Sequence, residues 1–123
     1  MLEAYSINTD VAANAPIPFQ NVSIKKGCTA ELSGTSTIIL NKCGVYMISC
    51  DGVTSAVTTM QLYKDGIAQP QAQSTGQSLG FVTLVQVPEN NSCCPCATGT
   101  SLQVVNETVT TYDNVNIVVT KVV

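Results

Sequence analysis

The 123-residue chain has no histidine, no arginine and no tryptophan, and phenylalanine occurs only twice. Without histidine there can be no Ser-His or Cys-His pair, which removes the commonest route to an activated nucleophile. None of the eight carboxylates lies in a catalytic motif, so no residue is assigned a catalytic role. "STGQSLG" has neither the lysine nor the helix that follows a phosphate-binding loop. Charge is scarce too, at 11% against a usual share of about 25%. The five cations are all lysines, Lys25, Lys26, Lys42, Lys64 and Lys121. Nucleic-acid recognition draws on clustered positive charge and arginine forks, and the sequence displays neither, so no nucleic-acid partner is expected. The same shortage argues against an anionic membrane surface. No run reaches the roughly 20 apolar residues of a spanning helix.

The opening "MLEAYSINTD" lacks the basic and apolar regions of a secretory signal. The expectation is a protein made in a reducing cytoplasm. Its six cysteines are then free thiols or metal ligands more readily than disulfides. The triplets at Asn21, Asn90 and Asn106 fit the glycosylation pattern, but without an export signal they read as chance matches.

What is abundant is valine, threonine and isoleucine, in short runs punctuated by Gly, Asn, Asp and Pro. No sustained 3.6-residue apolar period occurs. This is the pattern of an all-β chain. The expected strands are "LEAYSIN", "IPFQNVSI", "TAEL", "STIIL", "GVYMISCDGVTS", the hairpin "TMQLYKDGIAQ", "SLGFVTLVQV", "TSLQVVNET" and "NVNIVVTKVV". Asp65-Gly66 supplies the positive φ angles of a tight turn. Tyr46, Ile48 and Cys50 share one face of their strand, and Phe19 and Phe81 are expected in the core with Tyr46. Tyr63 and Tyr112 are candidates for a subunit interface or for ordinary half-exposure. "AQPQAQSTGQS", residues 68–78, is polar and reads as an exposed loop. The length suits one domain, residues 1–123, with no linker or internal repeat. A surface so poor in charge favours association.

The order "AYSI", "IPFQNV", "CGVYMISC", "LYKDG", "SLQVVN", "NIVVTKV" resembles the jelly-roll domain of tumour necrosis factor and the complement component one-q head. Gly44-x-Tyr46 after an Ile-Leu strand, and the hairpin Leu62 to Gly66, carry the likeness. "CATGT" stands where the family has a glycine-aspartate pair, and a cysteine-bearing insertion precedes it. The resemblance implies a two-sheet antiparallel jelly-roll sandwich that packs as a homotrimer and performs no catalysis. Bacterial and phage versions of the domain exist. The expected function is therefore a virion component, a head decoration or fibre-tip trimer. It would be made in the host cytoplasm and would contact other virion proteins or a cell-surface ligand. The alternative is a ligand- or carbohydrate-binding module on a bacterial or spore surface.

Cys93-Cys94-Pro95-Cys96 is the densest chemical feature. Structural zinc needs four ligands, and Cys28, Cys43 and Cys50 form no second C-x-x-C. A redox pair needs the first thiolate at a helix start, and the context here is β. The third reading is a cysteine-rich loop with free thiols, or with a disulfide to Cys28 or Cys43 in an oxidising setting. Cys93 and Cys94 point to opposite sides of an extended backbone and should not bridge each other. The loop reading fits best. Cys93, Cys94 and Cys96 remain the weak metal candidates, and no cofactor is expected.

Overall fold

A computed structural model describes residues 1–88 and 100–123. The chain contributes nine strands among the described residues: β1 (Leu2–Val11), β2 (Ala15–Pro16), β3 (Asn21–Lys25), β4 (Ala30–Ser33), β5 (Thr37–Leu40), β6 (Gly44–Lys64), β7 (Ile67–Val87), β8 (Thr100–Asn106) and β9 (Thr110–Lys121). Every pairing is antiparallel. Two walls result, because β6 and β7 are each long enough to serve in both. The front wall runs β3-β1-β9, then the first half of β6, then the second half of β7. The back wall runs β4-β5-β8, then the second half of β6, then the first half of β7. This is a two-sheet jelly roll.

The core lies between the walls and is built by period-2 alternation. Leu2, Ala4, Tyr46, Ile48, Cys50, Val115, Ile117 and Val119 point inward from the front wall, and Ile38, Leu40, Met60, Leu62, Leu102 and Val104 from the back. Phe19 and Phe81 are buried, as the sequence suggests. Tyr112 is not an interface residue. It is completely buried, and its hydroxyl donates to the Asn106 side chain at 3.0 Å. A buried phenol with a partner is a core residue.

β6 changes walls between Val53 and Thr58, where its register with β7 breaks. Hydroxyls replace part of the lost ladder there. Thr54 Oγ1 donates to the Ala56 carbonyl at 2.7 Å, and the Ala56 N–H donates to Thr110 Oγ1 at 3.2 Å. Threonine suits the place because it is β-branched and also carries a hydroxyl.

Residues 68–78, expected to be a loop, are strand. The segment alternates about buried Ala72, and its polar side chains face outward. Thr75 meets Thr59 across the strands, hydroxyl to hydroxyl at 2.7 Å. Pro70 lies in the second register break, between Gln61↔Gln73 and Tyr63↔Ala68, where a missing N–H costs no ladder bond. The Gln61 amide fills that gap by donating to the carbonyls of Gln69 and Ala72. Composition looked like a loop because the outward face of this strand is solvated. "IPFQNVSI" is likewise not one strand. Only its second half belongs to β3, and its first half links β2 to β3, with Ile17 and Phe19 turned into the core.

Candidate functional site

The outer face of the front wall differs from an ordinary solvated sheet. Antiparallel register aligns Tyr5, Asn116, Asp51 and Gly80 in one row. The row on one side holds Ile7, Asn114, Val53 and Ser78; the row on the other holds Ile24, Glu3, Val118, Ser49 and Val82. Met47 and Leu84 pair in the row beyond. Val82 is 65% exposed, Leu84 60%, Ile7 57% and Val53 40%. Exposed aliphatic side chains gathered on one sheet face, though interleaved with Asn114, Asn116, Ser49 and Asp51, mark an association surface. Glu3 and Asp51 are the only charged side chains in these rows.

Among the described residues β7 pairs with β6 alone and ends the sheet. Its 21 residues include no charged side chain. Soluble proteins usually guard a long edge strand with lysines or a covering element. Pro70 and the register breaks are the protective features among the described residues.

Cys28 is an exposed free thiol and Cys50 a buried one. Cys43 is disulfide-bonded, which is the pairing left open for it above. Chain position alone left that outcome unresolved, because pairing depends on three-dimensional proximity. Cys93, Cys94 and Cys96, the metal candidates, lie outside the described residues. Among the described residues no three His, Cys, Asp or Glu side chains come together as a metal site. Cys50 faces the core beside Met60, sulfur to sulfur at 3.9 Å. Burial, and secondarily the Asp51 charge, pushes its thiol pKa well up, which keeps it protonated and unreactive.

A cleft opens at the end of the sandwich where Gly44, Val87 and Val123 meet, lined also by Val45, Gln86 and Lys121. Lys121 Nζ donates to the Val123 carbonyl at 2.9 Å, so its ammonium is already engaged. Of the three glycosylation triplets, only Asn21 is described and exposed. Asn106 is buried with its amide committed to the carbonyls of Val11, Ala12 and Thr108, which blocks modification in the folded state.

No protein-family model and no curated sequence matches the chain. Solved structures do match. The PRD1 vertex protein P5 superimposes with a TM-score of 0.67 at 14% identity, over 99% of this chain and 96% of that one. The globular domain of zebrafish complement 1qA gives 0.67 at 9% identity, over 95% and 94%. The chain has the jelly-roll fold of the tumour necrosis factor ligands and the complement globular head. Murine APRIL, at 0.67 and 8% identity over 97% and 98%, shares the same jelly roll. The resemblance seen in Gly44-x-Tyr46 and in the Leu62 to Gly66 hairpin is thus a resemblance of fold. Tyr46 anchors its strand by donating to the Lys42 carbonyl at 2.8 Å, and Asp65 and Gly66 take φ angles of 51° and 81° in the turn.

Proposed function

We propose that this jelly roll is a non-enzymatic structural module that works as a homotrimer in a bacteriophage particle, as a head decoration or fibre tip. One observation carries the trimer. The front wall presents an apolar outer face, and beside it the uncharged β7 edge is unpaired. A closed cyclic ring needs two different complementary patches on every subunit, since each subunit meets its neighbours head to tail. The outer face offers two parts that could meet head to tail: its middle, around Tyr5, Val53 and Val118, and its β7 margin, with Val82 and Leu84. Burying them would remove the exposed side chains of Ile7, Val53, Val82 and Leu84 from water, at roughly 25 cal/mol per Å².

Support for the particle reading is the likeness in fold to the PRD1 vertex protein P5. The test is mass spectrometry of purified particles from cells that express the gene. Stoichiometric chain in the particles supports the reading, and its absence from them removes it.

A second reading has its own observation. The outer face of the back wall carries Gln61, Tyr63, Gln103 and Thr37, amides and hydroxyls around one half-exposed ring, with Gln103 Nε2 donating to Thr37 Oγ1 at 2.8 Å. Such a face suits a neutral glycan. It predicts glycan binding by the isolated protein, lost in Tyr63→Ala.

A further inference from the structure

The five lysines are scattered in sequence, yet the fold gathers all of them at one end of the sandwich. Lys25 pairs with Leu2 at the start of β1, and the Lys26 N–H donates to the Met1 carbonyl. Lys121 pairs with Tyr46, at the same end of β6 and β9. Lys42 lies in the β5–β6 connection, where its carbonyl accepts from Tyr46. Lys64 closes β6 beside the tight turn, and its Nζ donates to the Gln86 carbonyl at 2.7 Å. Among the described residues none of the five has a carboxylate partner. Among the described residues the acids at this end are Glu3, Glu31 and Asp65. Glu3 accepts from Ser23, and Asp65 accepts from Ser101. The opposite end, where β1 runs out and β9 begins, carries Asp10, Glu107 and Asp113 and no lysine.

We propose that the lysine end is a docking surface for an acidic protein partner, and that the acidic end fixes the direction of docking. Cations grouped on one face without a carboxylate side chain to neutralise them sum to a field that steers an anionic surface toward them, even where Lys64 and Lys121 also donate to backbone carbonyls, and the acids at the far end repel the same partner. Polypeptide fits better than nucleic acid for two reasons. Lysine ammonium is a point charge without the fork that grips phosphate. Glu31 and Asp65 also interrupt the patch, which an evenly charged phosphate backbone would meet unfavourably. The inference does not depend on the trimer.

The experiment uses the full chain and poly-L-glutamate as the probe, at ionic strengths from about 0.01 M to about 0.15 M, over which the Debye length falls from about 30 Å to about 8 Å. Wild type should bind at the low end and weaken as salt rises. The triple variant Lys25→Glu, Lys26→Glu, Lys42→Glu should lose about tenfold or more in affinity. Asp10→Lys with Asp113→Lys should bind at least as well as wild type. If the triple variant does not fold by circular dichroism, Lys25→Gln with Lys26→Gln gives a milder test of the same direction. No binding by wild type at low salt overturns the proposal, as does equal loss in the two sets of variants. Tighter, equally lysine-dependent binding to double-stranded DNA also overturns it, and would reassign the surface to nucleic acid.

Discussion

Asn106 and Tyr112 meet in the core, with the phenol hydroxyl donating to the carboxamide oxygen at 3.0 Å. Thr58 donates to the same oxygen at 2.7 Å. The amide nitrogen serves three backbone carbonyls, those of Val11, Ala12 and Thr108. One side chain thereby ties the ends of β1 and β8 to the point in β6 where that strand changes walls. Among the described residues no buried side-chain polar atom lacks a partner. Asn106→Ala would leave the Tyr112 hydroxyl without its acceptor and the buried Val11 carbonyl without this donor. The expected loss is about 3 kcal/mol, since each unsatisfied buried group costs about 1–3 kcal/mol. Urea denaturation of the variant checks it; a loss under about 0.5 kcal/mol, the range of an ordinary surface change, would contradict this role.

Gly44 has a φ of 141°, a backbone region that L side chains rarely adopt. A Cβ there would fall 2.4 Å from the Val123 carbonyl oxygen and 2.7 Å from Lys121 Cε. Gly44→Ala must therefore push the last residues away from Val45, whose N–H and carbonyl bond to Val123 and Val122. The expected cost is about 2 kcal/mol. In a domain of this size that is a fall in melting temperature of roughly 8 °C, and an unchanged transition would contradict the packing described.

Burial raises the pKa of Cys50 and of Tyr112, and Cys50 adds a smaller upward push on Tyr112. Both groups are protonated in the folded state and ionise more easily once unfolded. Their contribution to stability is fully present below the unfolded pKa values, about 8.5 for cysteine and about 10 for tyrosine. It is lost as pH rises past them, because the unfolded chain then binds fewer protons. Urea midpoints should hold to about pH 8.5 and then decline, with a slope approaching 1.4 kcal/mol per pH unit for each group, roughly. Cys50→Ala should delay the onset to about pH 10. Stability that stays flat to about pH 11 would contradict the burial of both groups.

Cys43 should resist alkylation until the protein is reduced, while Cys28 labels freely and Cys50 labels only after unfolding. Peptide mapping with and without reductant reads all three. Free labelling of Cys43 in the oxidised protein would refute the disulfide.

Much of the fold was legible in the sequence, because the jelly roll rests on local signals. Asp65-Gly66 names its own turn, and Tyr46, Ile48 and Cys50 declare their face by alternation. Residues 68–78 misled because a strand with one wet face and a proline has the composition of a loop; its pairing with β6 comes from across the sheet. Tyr112 gave no sign of its depth, since its hydroxyl is received by Asn106 across the β8–β9 turn, and Asn106 is itself held by Thr58 from β6. The candidate interface was legible only as low overall charge. Its location needed the register that places Tyr5, Val53, Val82 and Val118 on one face. The lysine cluster was invisible for the same reason, its members coming from three separate strand ends and two connections.

The central claim is that the apolar front face and the β7 edge join copies of this chain into a closed ring of three. Native mass spectrometry of the full chain, oxidised and reduced, tests it most directly, with Val82→Asp plus Leu84→Asp as the companion variant. The account predicts a trimer in both redox states and a folded monomer for the variant. A wild-type monomer at micromolar concentration would contradict it, as would a trimer that the two aspartates leave intact.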